Sequence, residues 1–381
     1  MRPLPLGLAL FALALRPLAA DPTPSVQAAA EWPLFKGDAA RTGRGTPLVP
    51  PFAEAWKVRL DGSLYSSPAI SGGLVVLGSS AHRVCALDLG TGAARWTATL
   101  PGRVWGSSPA VDSGVVCIGA TDHCLHLIAL ADGGLRDAVC EPDPGFMGSA
   151  SVFSAPLVAG GSVLYGSDDR WVRSRPLSGG ASWDVRLGGP IHDNGAACLG
   201  KTVVIAAHDG KVYALSLADG SKLWSTPEGR RYNTVPALAD GKAFLGNEDG
   251  RLYALSLADG SKLWSFKTGD AVMSSPALSA DGRLVFGSSD GSVYCLDAAD
   301  GRERWSFPTG AYVLASPLIS GRLAWVGSFT GDFYALDLDT GAPVWKTSLK
   351  GGIFTSAAQA GDRVVVAGRD GDVLCVRGAL P

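Results

Sequence analysis

Three stretches of the chain hold residue types that could do chemistry. His123-Cys124-x-His126 brings two imidazoles and a thiol together, the vocabulary of a zinc site. On a strand, residues three apart point to opposite faces, and no second pair of ligands follows, so a structural role is expected. Gly-Ser-Ser-Asp-Gly at 287–291 spells a nucleophile elbow around Ser289. It lies at a hairpin of a repeat and not at a strand-to-helix turn, so it reads as a turn. Asp193-Asn194 gathers a carboxylate and an amide. Calcium takes about six to eight oxygens, one Asp with two amides falls short, and a hydrogen-bonded rim is expected there instead of a metal. No phosphate loop is present, and no residue is assigned a catalytic role.

The seven cysteines allow at most three internal disulfides. Cys295 and Cys375 fall where other repeats carry Ala86, Ala214, Ala254 and Ala335, with Cys85 one position earlier, and these read as packing thiols. Cys117, Cys124 and Cys140 are close enough to pair in some combination that the sequence does not choose, and Cys198 has no assigned role.

What must position such residues is a repeat. "YALSLADGSKLWS" occurs at 213–225 and again at 253–265, and one catalytic site has no use for two copies. Gly-x-x-x-Trp recurs as Gly92/Trp96, Gly179/Trp183, Gly220/Trp224, Gly260/Trp264, Gly301/Trp305 and Gly341/Trp345, with Gly133 in phase and Asp137 in place of its tryptophan. The spacings of 41, 46, 41, 40, 41 and 40 residues share their phase with a second marker, Ser-Ser-Pro or a relative, at Pro68, Pro109, Pro156, Ala196, Pro236, Pro276 and Pro317. Short apolar runs separated by Asp-Gly turns make each unit an up-and-down antiparallel sheet of four strands. Such a sheet has two apolar faces and needs neighbours on both, so the units stack radially into a propeller.

The tryptophans then wedge between blades, each burying ~150–250 Å². Trp56 is in phase with too little chain before it, and the stretch from Ile353 lacks its last strand. Pairing the two fragments predicts an all-β, eight-bladed propeller of four-stranded antiparallel blades, closed by an N-terminal strand. Trp56, Trp96, Trp183, Trp224, Trp264, Trp305 and Trp345 are its structural docking residues. Aligned on the proline marker, Tyr65, Gly106, Phe153, Asp193, Asn233, Met273, Leu314 and Thr355 begin the innermost strands, and with Trp105, His192, Arg231 and Tyr232 they are expected to rim one end of the channel. Trp105 stands there outside the docking phase, placed either to stack on a flat ligand or to plug the channel with Tyr65 and Phe153.

Residues 1–20 read as a secretory signal peptide: Met1-Arg2, an apolar run from Leu4 to Leu15 too short to span a bilayer, and small residues ending at Ala20. Residues 21–50 form a lead-in and 51–381 the propeller, so the mature chain is expected to be an exported, soluble, monomeric ring in the periplasm or outside the cell. The composition is 46% hydrophobic and 18% charged with a net charge of −2, which argues against a nucleic-acid surface. Fifty glycines and eleven tryptophans suit many short strands and turns.

"ALDLGTGAARW", "CLDAADGRERW" and "ALDLDTGAPVW" resemble the tryptophan-docking motif of quinoprotein dehydrogenases, and "WPLFKGDAARTG" at 32–43 resembles the lead-in of pyrroloquinoline quinone (PQQ)-like repeat proteins. Trp-Asp, the ending of WD40 repeats, occurs only at Trp183-Asp184. The resemblance implies two functions. Quinoprotein dehydrogenases hold PQQ and calcium over the channel mouth with inserted loops, a carboxylate base and usually a disulfide between adjacent cysteines. The branch that resembles the outer-membrane assembly factor BamB is a bare ring that binds protein partners. This chain has no adjacent Cys-Cys and one short insertion around "EPDPGFMGS". The resemblance therefore implies a cofactor-free binding or scaffold protein of the cell envelope, with a PQQ- and calcium-dependent oxidoreductase of alcohols or sugars as the alternative.

Overall fold

The computed structural model describes residues 31–141, 151–192 and 195–381. The expected signal peptide, the insertion at 142–150 and Asp193-Asn194 lie outside the described residues. Eight antiparallel sheets follow one another around a ring, with no helix among the described residues. Blades 1 to 7 occupy residues 69–99, 110–140, 157–186, 197–225, 237–267, 277–308 and 318–348, each running from a short strand at the channel to a strand at the rim. Blade 8 joins the two ends of the chain. The strand Val49–Arg59 pairs antiparallel with Asp372–Ala379, setting Trp56 opposite Cys375, so the N-terminal strand closes the ring.

The lead-in is built into the ring. Trp32 exchanges two 2.8 Å backbone hydrogen bonds with Ile70 of blade 1, and Pro33, Ala39, Ala40, Thr42 and Gly43 accept from inner-strand amides of blades 2, 4, 5, 6 and 7. Blade 3 is reached by the Arg41 guanidinium, which donates to the Pro156 carbonyl at 2.8 Å. Blade 8 reaches back through Gln359, whose Nε2 donates to Thr46 O at 2.8 Å. Arg44–Gly45 adds a fifth, parallel strand to blade 7. One strap of fewer than twenty residues thus satisfies inner-strand groups of every blade that would otherwise face the channel unpaired.

Between blades, the indoles lie on turn glycines. A Cβ on Gly92, Gly133, Gly220, Gly260, Gly301 or Gly341 would stand under 3 Å from the ring of Trp56, Trp96, Trp183, Trp224, Trp264 or Trp305 respectively, so only glycine lets the ring down onto the turn. Five of these indole N–H groups donate to the carbonyl three residues before the glycine, at 2.7–2.9 Å. Trp264 is partly buried there, with its indole N–H enclosed and unpaired. Trp345 faces blade 8, where no turn exists, and packs on Trp325 and on Phe52 of the closing strand. Cys85, Cys117, Cys198, Cys295 and Cys375 are buried free thiols, and Cys124 pairs with Cys140.

Candidate binding site at the channel mouth

The segment leading into each inner strand sets the mouth, and it is read three residues at a time. The first residue is a core plug: Leu64, Val104, Val152, Ile191, Tyr232, Val272, Val313 and Ile353 are all buried. The second faces the channel opening: Tyr65, Trp105, Phe153, His192, Asn233, Met273, Leu314 and Phe354 are each partly or well exposed. The third is small or hydroxylated. Ser66, Ser107, Ser154, Thr234 and Thr355 accept the amide of the residue 12 positions on, tying the segment to the second strand of its own blade.

Four expectations change accordingly. Tyr232 is not at the mouth; it is 7% exposed and packs in the core with Leu238 and Leu245, because its position is the plug. On blade 8 the facing residue is Phe354, while Thr355 is buried and bonded to Ala367. On blade 2 it is Trp105, since Gly106, at φ +83°, is one extra residue that fixed spacing from the proline cannot see. These residues also precede the inner strands and do not begin them; Tyr65 stands ahead of the strand Ala69–Ser71. Arg231 is exposed one position before the plug, with its carbonyl accepting from Glu248 N.

Around the mouth the facing residues form two unlike halves. Across blades 7, 8, 1 and 2 runs an unbroken aromatic arc: Tyr312 to Phe329 at 5.8 Å between ring centroids, Phe329 to Phe354 at 5.2 Å, Phe354 to Tyr65 at 5.4 Å, and Tyr65 stacked on Trp105 at 4.5 Å. Tyr312, Phe329 and Trp105 are 54%, 40% and 40% exposed, unusual for a contiguous aromatic set facing water. The opposite half is polar. His192 Nδ1 lies 2.8 Å from Asp168 Oδ1, with Phe153 against its ring at 4.6 Å, and Asn233 Nδ2 donates to Glu248 Oε1 at 2.6 Å.

Below the mouth the channel is a cavity of about 310 Å³ with Phe35 of the lead-in among its lining residues. Its wall carries a belt of serines that sequence reasoning missed. Ser275, Ser316, Ser356, Ser67 and Ser108 each accept a hydrogen bond from the backbone amide of the preceding blade, at 2.9–3.1 Å. The Ser-Ser-Pro marker therefore has a physical meaning: its first hydroxyl accepts within its own blade at Ser66 and Ser107 and donates to the next blade from Ser107 and Ser274, and its second accepts from the preceding blade. Two hydroxyls ahead of one proline in repeat after repeat was the available signal.

Beneath the belt two cations are buried. Arg41 donates to the carbonyls of Ala196, Phe35 and Pro156, and its guanidinium carbon is 5.8 Å from the Phe35 ring centroid. Lys36 donates to the carbonyls of Ser275 and Pro276. Burial pulls the arginine down to about 10 and the lysine down to about 7, against the opposing pull of Asp38. Among the described residues one group of three metal-ligating types occurs, Asp122, Cys124 and His126 on blade 2. Cys124 is committed to its disulfide and His126 to Asp122, so the set does not suit a metal.

The family model described as outer membrane protein assembly factor BamB matches residues 53–170, 145–226, 168–311 and 289–378. The chain belongs to the BamB family. Among solved structures it is similar to BamB from Moraxella catarrhalis, at 18% identity and a TM-score of 0.70 over 86% of this chain and 100% of that one. Quinohemoprotein alcohol dehydrogenase from Comamonas testosteroni aligns at 14% identity and a TM-score of 0.79, over 92% of this chain and 82% of the enzyme. The computationally designed Ika8 protein aligns at 19% identity and a TM-score of 0.73, over 86% of this chain and 99% of its own. At these identities the likeness is one of fold, and an enzyme, an assembly factor and a design share it. No curated protein matches the sequence. No helix among the described residues of this BamB-family chain is long and apolar enough to cross a membrane.

Proposed function

We propose that this protein is an exported, non-catalytic binding module of the cell envelope that seats a protein partner on its channel mouth. The observation that carries the reading is the aromatic arc from Tyr312 to Trp105. Exposed aromatic rings already packed against one another lose little entropy on binding, and such residues dominate the energetics of protein interfaces. Membership of the BamB family and the likeness to Moraxella catarrhalis BamB support the envelope setting.

The alternative, an alcohol- or sugar-oxidising quinoprotein, draws on the exposed Trp105 and on the dehydrogenase neighbours. The donor set speaks against it. Trp105 already has Tyr65 against one face, and the described carboxylates nearest the mouth, Asp168 and Glu248, are engaged by His192 and Asn233. These residues do not fit a calcium-bound quinone, which needs about six or more oxygen ligands.

The test is a crosslinked pull-down from an envelope fraction of source cells, with the mature chain and its Trp105→Asp variant as baits. A partner held by the parent and lost from the equally heat-stable variant is expected. Retention by the variant would move the docking surface elsewhere, and dye-linked turnover on adding PQQ and calcium would replace the reading by the enzymatic one.

A further inference from the structure

We propose that the serine-lined cavity below the channel mouth captures the C-terminal carboxylate of a polypeptide. The inference deepens the docking reading above and rests on it. Five serine hydroxyls, of Ser67, Ser108, Ser275, Ser316 and Ser356, line one cavity, and each accepts a backbone amide from the neighbouring blade. With that lone pair engaged and no acceptor for their own protons among the described residues, the hydroxyls are left as donors toward the cavity. No carboxylate is among the residues that line it.

Near the cavity two buried cations, Arg41 and Lys36, stand against one carboxylate, Asp38. Arg41 is fully buried behind Phe35 and held only by carbonyl oxygens, and at about 10 it keeps its charge at neutral pH. Donor hydroxyls on one wall of the cavity, with a buried guanidinium beside blades 3 and 4, favour an anion, and charge-assisted hydrogen bonds are roughly twice as strong as neutral ones. The donors are neutral, and no cationic side chain enters the cavity, which suits a singly charged carboxylate better than a doubly charged phosphate.

The shape says where that carboxylate sits in its ligand. The belt lies on blades 6, 7, 8, 1 and 2, under the aromatic half of the mouth, whereas blades 3 and 5 offer Ala155 and Val235 at the same level. An anion at the belt therefore has Tyr65, Phe354 and Trp105 beside its attached body, and the arc continues outward over Phe329 and Tyr312 to the open surface. A ligand with a terminal carboxylate, an apolar last residue and more chain leading out of the channel matches all three levels.

Two fluorescein-labelled hexapeptides ending in Leu-Phe, one a free acid and one a C-terminal amide, are titrated against the mature chain and followed by anisotropy. The acid is expected to bind about tenfold more tightly. Ser67→Ala should bring the acid close to the amide. Because that change also removes an acceptor from the Ser356 amide, Ala155→Ser is the companion: it adds a sixth hydroxyl in the register of the belt and should tighten the acid about threefold without moving the amide. Equal binding of the two peptides, or binding of neither, with the envelope partner still lost from Trp105→Asp, overturns the carboxylate pocket alone. An acid preference in a protein whose pull-down recovers nothing dependent on Trp105 overturns the docking reading alone.

Discussion

At the seam between blades 6 and 7, Trp305 lies 7% exposed over Gly341 and donates its indole N–H to Leu338 O at 2.9 Å. Between blades 2 and 3 the same position is Asp137, half-buried and bonded to the amide of its own neighbour Ala138, and nothing stands within 4 Å of where a Cβ on Gly179 would be. That seam is held by charge instead. Glu141, at the end of blade 2, meets Arg173 at 3.0 Å and accepts from Tyr165 Oη at 2.9 Å, while Arg173 also pairs with Asp169 at 2.5 Å. The blade's outer strand is pinned by the Cys124–Cys140 disulfide. An apolar wedge needs only the right turn beneath it, whereas an ionic seam needs every partner present, and this makes the two seams fail differently.

The wedge is expected to give the largest single loss. Trp305→Ala removes a buried indole and its hydrogen bond and should cost about 3–5 kcal/mol in a denaturant titration, with little dependence on salt. A loss below 1 kcal/mol would mean that the docking geometry contributes little to holding the ring.

Arg173→Met should cost about 3 kcal/mol, because Glu141 and Asp169 would be left half-buried without their cation. This seam also carries a pH signature. Burial raises the Asp169 carboxyl, but hydrogen bonds from Arg173 and Ser167 outweigh it and hold it below its usual 3.8. A carboxylate lowered in the folded state contributes stability above its unfolded value, and that contribution is lost as pH falls below about 4. The parent should lose stability there more steeply than Arg173→Met; parallel acid titrations would show that Asp169 does not sense the arginine.

How much of this was legible follows from what repeats. The ring, its blade count and its clasp were readable because Gly-x-x-x-Trp and Ser-Ser-Pro or a relative mark most units in one phase, and a missing strand at each end leaves a single way to close. The mouth was half legible. Counting back from the proline pointed to Tyr65, Asn233 and Met273, which line the cavity; on blade 8, where Ala357 stands in for the proline, it fell on Thr355, one residue past Phe354, and on blade 2 the extra Gly106 took the place of Trp105. A lead-in before the propeller was legible, but its circuit of the inner strands, the three carbonyls on Arg41 and the ionic seam were not, since no period announces those contacts.

Removing the disulfide should matter less than either seam. It closes a loop of 16 residues, for which chain entropy gives roughly 3 kcal/mol as an upper figure. Cys140→Ser is expected to cost about 2 kcal/mol in non-reducing buffer, and the parent in reducing buffer should match it. A disulfide-independent melting temperature would leave the strand to its ladder with Cys124–Ala129 alone.

The smallest effect is the most informative, because it asks whether the ionic seam replaced a wedge that the fold still permits. Leu177 N bonds to Gly161 O as Leu217 N bonds to Lys201 O, so the turn of blade 3 hangs from the same point as its counterparts. It is one residue shorter: six positions separate Leu177 from Trp183, against seven from Leu217 to Trp224. The space above Gly179 is open, and Asp137 makes no described bond to blade 3. Asp137→Trp should therefore be accepted and stabilise by about 1 kcal/mol, less than the full worth of a wedge because the shortened turn offers the indole a smaller bed. In the Arg173→Met background the gain should be the same if wedge and ion network act independently, and larger if each compensates for the other. Destabilisation of both backgrounds by the tryptophan would show that the shorter turn has closed the docking site and that the charges on Glu141, Arg173 and Asp169 have replaced the wedge between blades 2 and 3 for good.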